Sequence, residues 1–154
     1  MNLIQGDLFK IYKKYDIIVH GCNCQSVMKA GIAPLMAKEF GCHKFPMEED
    51  GPNINKLGCV DGQMVGEHLI VNAYTQMYPR GEPAIDYDAL KLCLRKIAAL
   101  YRGSVLMPAI GCGLAKGNPF VIFPIIEQEL PDATVVVLDN NIINNYKNLT
   151  KRKF

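Results

Sequence analysis

The sequence predicts one α/β domain, a three-layer α/β/α sandwich with a mixed, largely parallel central sheet. Two observations predict this fold class. Short apolar runs bounded by Gly, Pro, Asp or Asn have the pattern of strands, and they lie at residues 3–4, 17–19, 69–73, 105–107 and 135–138. Most are apolar on both faces, as expected for a sheet covered on two sides. Helical patterns lie between them, and such alternation is typical of parallel sheets.

Three segments have the pattern of helices. The first covers residues 31–40 and ends at Gly41. The second begins at Asp86, a favourable N-cap residue, and its apolar positions recur at spacings of three and four: Tyr87, Leu90, Leu94, Ile97 and Tyr101. The third covers residues 118–130, with one proline in its first turn and another just after its end. Residues 42–67 are rich in turn formers and predict one strand at 59–65, with the rest left open.

Length and composition limit the class of protein. The 154 residues fit a single domain, 1–154, that buries about 68 to 70% of its unfolded surface. The sequence has no signal-peptide pattern and no apolar run of about 18 residues, so we expect a cytoplasmic protein without membrane contact. A net charge of +2 does not favour nucleic acid as a partner, and the basic residues at 147–153 are interpreted as a solvated end. The six cysteines are expected to be reduced thiols.

The end of the second strand concentrates reactive side chains, because His20, Cys22, Asn23 and Cys24 follow residues 17–19 directly. A zinc site usually pairs ligands at C-x₂₋₄-C or H-x₃₋₅-H spacing, which these residues lack, so no metal site is expected. A cysteine nucleophile needs a base, and His20 lies two residues from Cys22. The strand is predicted to end here, however, which makes the pairing weak evidence for a nucleophile.

Two glycine-containing loops offer a third interpretation, a phosphate-binding site. Residues 29–33 and 108–118 each lie between a predicted strand and a predicted helix. Helix N-termini offer unpaired N–H groups to anions, and ligands of open α/β sheets bind at the carboxyl ends of strands. The alternative is that the glycines at 111, 113 and 117 only make a tight connection. Neither the dinucleotide fingerprint nor the P-loop pattern is present.

Several of these segments together resemble the macro domain family, whose members bind ADP-ribose and its derivatives. The similarity covers nearly the whole chain: "QGDLF", "IIVHGCN", "AGIA" and "PAIGCGLAKG" occur in the family's order. The resemblance implies that Asp7 takes the adenine amino group and that Asn23 holds the distal ribose, with His20 in place of an asparagine. It implies further ligand contacts from Leu8 and from the two phosphate loops, namely Gly31, Ile32, Ala33, Gly111, Cys112, Gly113, Leu114 and Ala115.

Within the family, the chain is most similar to ADP-ribose 1''-phosphate phosphatases. The pattern His-x-Cys-Asn-Cys at 20–24 resembles that branch, as do "IGCGLA", "NAYTQ" and "DYDAL". Lys29 departs from the glycine that is common in relatives. Ala115 replaces the aspartate with which a related branch cleaves ADP-ribose from protein carboxylates, so we do not favour that reaction.

The resemblance therefore implies hydrolysis of ADP-ribose 1''-phosphate to ADP-ribose and phosphate, without a metal or cofactor. His20 would be catalytic, by activating water or protonating the departing oxygen, and Asn23 would orient the ribose. Arg80, Asp86 and Asp88 would assist at most, since Asp86 is better explained as a helix cap. The alternative function is a non-catalytic ADP-ribose reader or scavenger. We expect a monomer.

Overall fold

The central sheet has the mixed, largely parallel character that the sequence predicts. A computed structural model describes residues 1–81, 84–113 and 115–151. In these parts of the chain six strands are found: β1 (Asn2–Gln5), β2 (Ile17–Asn23), β3 (Val60–Val65), β4 (His68–Gln76), β5 (Val105–Pro108) and β6 (Thr134–Val137). Their order across the sheet is β1-β6-β5-β2-β4-β3. Neighbouring strands are parallel except β3 and β4, which form an antiparallel pair at one edge.

The described residues also form six α-helices: α1 (Leu8–Ile11), α2 (Ala33–Phe40), α3 (Pro46–Glu49), α4 (Tyr87–Leu100), α5 (Pro119–Glu129) and α6 (Asn140–Thr150). The caps of α4 and α5 are as predicted, because Asp86 accepts from Ala89 N and Asn118 from Phe120 N, both at 2.9 Å. Helix α2 begins two residues later than predicted, since Gly31 has a left-handed φ of +66°. No helix in the described part of the chain is long and apolar enough to cross a membrane.

Hydrophobic side chains on both faces of the sheet pack against helices, so the fold has three layers. Ile17 and Val19 of β2 face one core cluster, which contains apolar residues of α4 and α5. Ile18 faces the other cluster, together with Met36 and Phe40 of α2. This alternation follows from the two-residue period of a strand. The predicted α/β/α sandwich is therefore confirmed.

The topology brings the carboxyl ends of five strands to one edge of the sheet. Strands β1, β2, β4, β5 and β6 run in the same direction, so their carboxyl ends lie along that edge. The described parts of the loops that follow β2, β4 and β5 are residues 24–32, residues 77–81 with 84–86, and residues 109–113 with 115–118. This edge is where open α/β sheets bind ligands.

Candidate functional site

A two-part cleft lies between the loops at the carboxyl edge. The smaller part, the narrow chamber, has a volume of about 250 Å³ and is lined by residues that include Gly31, Ile32, Ala33, Gly111, Gly113 and Ala115. The larger part, the wide chamber, has a volume of about 700 Å³, and its lining includes Asn23, Val27, Met28, Lys29, Arg80 and Lys116. Three residues line both chambers: Gly21, Ala30 and Ala33. The two chambers therefore adjoin.

The N-terminus of α2 forms one wall of the narrow chamber. Its N-cap residue is Ile32, whose side chain makes no capping hydrogen bond, and a proline occupies the first turn. The first hydrogen bond of the helix runs from Met36 N to Ile32 O at 2.9 Å. The preceding N–H groups have no helical partner, and the helix dipole is positive at this end. This wall is therefore suited to an anion.

The loop after β5 forms the opposite wall and is held in a tight fold. Gly117 N donates to Gly111 O at 2.7 Å, and Ala84 N donates to Ala115 O at 2.8 Å. Gly111 has a φ of +80°, and a Cβ there would lie 2.2 Å from Ile85 Cδ1. The glycines thus do make a tight connection, as the simpler interpretation proposed. The same connection brings the backbone of Gly111, Gly113 and Ala115 to the chamber.

The structure brings together most of the predicted phosphate-loop residues, but not all of the predicted site. Six of them line the narrow chamber, whereas Cys112 lines neither chamber. Leu114 lies outside the described residues. Asp7 and Leu8 follow β1 on the same edge of the sheet but do not line either chamber. Leu8 is buried in the core cluster on the α2 face, and Asp7 Oδ1 accepts from Phe9 N at 2.9 Å as the cap of α1.

His20 is not positioned for the proton transfer that the sequence suggested. Its side chain is fully buried, and it lines neither chamber. His20 Nε2 lies 2.6 Å from Asn72 Oδ1. Because Asn72 Nδ2 donates to Cys42 O, its Oδ1 is the acceptor, so His20 carries its proton on Nε2. Burial lowers the pKa of His20 to about 4, so at neutral pH the ring is uncharged and packed beneath the site.

The same arrangement argues against a cysteine nucleophile. Cys22 lines the wide chamber, and its Sγ lies 3.5 Å from His20 Nε2. That nitrogen already donates its proton to Asn72, so it cannot act as the base for the thiol. Burial raises the pKa of Cys22 well above its ordinary value. Within the described residues, no group of three or more His, Cys, Asp and Glu side chains is arranged to hold a metal ion.

Asn23 shapes the loop that borders the wide chamber. Its Nδ2 donates to Val27 O at 2.8 Å, and its Oδ1 accepts from Gln25 N at 3.0 Å and Val27 N at 3.3 Å. These bonds close a turn at the end of β2. The contact of Asn23 with a ribose stays a prediction.

A buried lysine that the sequence did not single out anchors this loop. Lys56 is only 4% exposed, and its Nζ donates to Ser26 Oγ at 2.8 Å. Ser26 has a positive φ of 56°, which few residues other than glycine adopt. Lys56 lies in the turn-rich segment 42–67, where no periodicity indicates which side chains are buried. Its position could not be read from the sequence.

The wide chamber is lined by basic side chains from three loops. Lys29 follows β2, Arg80 follows β4 and Lys116 follows β5. The described residues that line the two chambers include no Asp or Glu. The sequence drew attention to Lys29 and Arg80 separately, but only the fold shows that they line one chamber. The position of Lys116 at this chamber was not predicted from the sequence.

Comparison with known proteins supports the fold. No protein-family model matches the chain. An uncharacterized protein of Enterobacteria phage T4 is 29% identical over 150 residues, which cover 90% of this chain and 96% of the relative. The macrodomain of Mycobacterium tuberculosis DarG is 23% identical and superposes with a TM-score of 0.67, covering 88% of this chain and 98% of that one. Thermosipho africanus DarTG in complex with ADP-ribose is 16% identical with a TM-score of 0.71, over 90% and 42% of the two chains. The chain therefore has the macrodomain fold.

Proposed function

We propose that the chain binds ADP-ribose and hydrolyses the terminal phosphate of ADP-ribose 1''-phosphate. The observation that carries this proposal is the convergence of two strand-to-helix loops on the narrow chamber. A diphosphate needs hydrogen-bond donors on two sides, and backbone N–H groups of these loops supply them. The macrodomain fold supports the choice of ligand, since a solved structure with this fold is in complex with ADP-ribose.

The ligand is proposed to lie along the carboxyl edge of the sheet. Its diphosphate occupies the narrow chamber, between residues 31–33 and 111–115. The adenine extends towards Asp7 at the end of β1, and the distal ribose enters the wide chamber near Asn23. This arrangement of adenine, diphosphate and ribose follows the order of the strands. Asp7 follows β1, Asn23 ends β2, and β6 and β5 lie between these two strands.

Hydrolysis of the terminal phosphate requires only water as a second reactant. Water attacks phosphorus, the bond from phosphorus to the anomeric oxygen breaks, and one proton of the water passes through solvent to that oxygen, so that ADP-ribose and inorganic phosphate are released. Backbone N–H groups and the lysine ammonium groups of the wide chamber stabilise the charge on the phosphate oxygens in the transition state. No proton transfer is assigned to His20, since it is buried and uncharged at neutral pH.

A second candidate function is binding without turnover. It is favoured by one observation: the described residues that line the cleft include no histidine and no carboxylate that would serve as a general base. Ala115, which lines the narrow chamber, likewise offers no acid for cleavage of ADP-ribose from proteins. In either function we expect the protein to be a monomer. We also expect it to act in the cytoplasm, where thiols stay reduced, and its six cysteines are unpaired.

Two measurements test the proposal and separate the two candidates. Calorimetry should show binding of ADP-ribose, and incubation with ADP-ribose 1''-phosphate should release inorganic phosphate. Binding without phosphate release would support the non-catalytic function. The absence of binding at millimolar ADP-ribose would refute both.

A matched pair of variants tests the placement of adenine. Asp7→Ser retains a helix-capping oxygen but removes the carboxylate, so it should weaken ADP-ribose binding by about 1.5 to 3 kcal/mol. Asp132→Ser is the control, because Asp132 is exposed just before β6, at the opposite edge of the sheet. Equal affinities of the two variants would show that Asp7 does not hold the base.

A further inference from the structure

The two chambers of the cleft differ in charge. The described lining of the narrow chamber has no charged side chain, so an anion there would be bound by backbone N–H groups. The wide chamber has three basic residues, Lys29, Arg80 and Lys116, and no acidic one among its described lining residues. Its volume of about 700 Å³ exceeds that of the narrow chamber, which is about 250 Å³. The positive charge thus lies beyond the place proposed for the diphosphate.

Two of these cations are not neutralised by any residue that the structure describes. Within the described chain, Lys29 and Arg80 make no ion pair and no side-chain hydrogen bond. Arg95, by contrast, binds both carboxylate oxygens of Glu129 at 3.0 and 3.1 Å. Lys29 and Arg80 are exposed at the chamber, one on each of two different loops. A cleft lined by charge of one sign concentrates ligands of the opposite sign.

From this charge distribution we infer that Lys29 and Arg80 determine specificity for a ligand that carries a phosphomonoester beyond its diphosphate. This inference rests on the proposed function, because it places the ribose end of the ligand in the wide chamber. A phosphomonoester carries a charge of about −1.5 to −2 at pH 7, and two cations on different loops of one chamber match that charge. ADP-ribose without the additional phosphate would leave both cations unpaired.

Affinities for two ligands that differ only at the terminal phosphate test this inference. The ligands are ADP-ribose and a non-hydrolysable phosphonate analogue of ADP-ribose 1''-phosphate, measured by calorimetry. The wild-type protein should bind the phosphonate more tightly, and the preference should fall as salt is raised. Lys29→Ala and Arg80→Ala should each reduce the preference about ten-fold, while their affinity for ADP-ribose stays within two-fold of wild type.

Conservative and control variants separate charge from structure. Lys29→Arg and Arg80→Lys keep the charge and should retain most of the preference. Lys13→Ala removes an exposed lysine that lines a different groove, so it should behave as wild type. Melting temperatures of all variants should agree, because neither cation makes a hydrogen bond or ion pair with a described residue.

The outcomes distinguish this inference from the proposed function. If the wild-type protein binds neither ligand, the proposed function fails. If it binds both ligands equally, or if the alanine variants keep the wild-type preference, the inference is overturned while ADP-ribose binding stands. If Lys29→Ala and Arg80→Ala lost affinity equally for both ligands, the inference would also be overturned. The cations would then bind a group that is common to both ligands rather than the terminal phosphate.

Discussion

The buried histidine makes the stability of the protein depend on pH, and His20→Gln tests this. Burial lowers the pKa of His20 to about 4, whereas an ordinary histidine in the unfolded chain titrates near 6.5. Below pH 6.5 the unfolded chain therefore takes up a proton that the folded protein excludes. The free energy of unfolding is full above pH 6.5 and falls as the pH is lowered from 6.5 to about 4.

The size of this loss follows from the two pKa values. Each pH unit between them is worth 1.36 kcal/mol, so the full contribution is about 3 kcal/mol, and about 2 kcal/mol is lost by pH 5. Glutamine places an amide nitrogen near the position of Nε2, which retains a donor for Asn72 but removes the titration. We expect His20→Gln to reduce the pH dependence by these amounts.

Urea denaturation at pH 7.5, 6, 5 and 4.5 measures the effect. The difference between wild-type and His20→Gln curves removes the contributions of groups that titrate equally in both proteins. His43→Gln is the control, because His43 is exposed in the turn after α2, and it should retain the wild-type dependence. Parallel curves for wild type and His20→Gln would refute the burial and neutral state that we describe.

Four further predictions concern the loops and the chemistry. Gly111→Ala should destabilise the protein by about 1 to 3 kcal/mol in urea denaturation, because of its φ of +80° and the side chain 2.2 Å from the new Cβ. Gly113→Ala, with no atom within 4 Å of its Cβ, should change stability little, and equal costs would contradict the loop geometry. Lys56→Met should cost about 1.5 to 3 kcal/mol in the same assay by removing the bond to Ser26, and an unchanged midpoint would show that this bond does not stabilise the fold. Phosphate release should survive EDTA, since the sequence lacks metal-ligand spacing. If EDTA abolished phosphate release and added zinc restored it, the reaction would depend on a metal. Cys22→Ser should retain most phosphate release, whereas complete loss would indicate a nucleophilic thiol.

The sheet and the helices α2, α4 and α5 were predictable because their signals are local. Apolar runs bounded by turn formers marked five strands, and spacings of three and four marked α4. Helix α6 was missed because "NNIINNYKNLT" is rich in asparagine, a weak helix former, and its apolar stripe is thin. Only tertiary contacts, such as Tyr146 against Phe123 at 5.0 Å, show that this stripe is packed.

The parts of the candidate site that backbone atoms form were predictable from the sequence. The side chains whose exposure depends on tertiary packing were not. Glycine-containing loops after apolar strands indicated the narrow chamber, and its lining agrees with that expectation for Gly31 and Gly111. His20 was different, because a histidine at a strand end has the same sequence signature whether it faces a ligand or the core. Whether His20 faces the core depends on its contact with Asn72 of β4. That contact requires the pairing of β2 with β4, which are distant in sequence.

The pairing of β1 with β6 makes the proposed ligand site form late in folding. Residues 2–5 pair with residues 134–137, so β1 can join the sheet only after residue 137 has been synthesised. Contacts over such sequence separations close slowly, because a long loop must lose its entropy before the contact forms. Asp7 follows β1 directly, so the proposed adenine contact cannot be in place while the chain is still emerging from the ribosome.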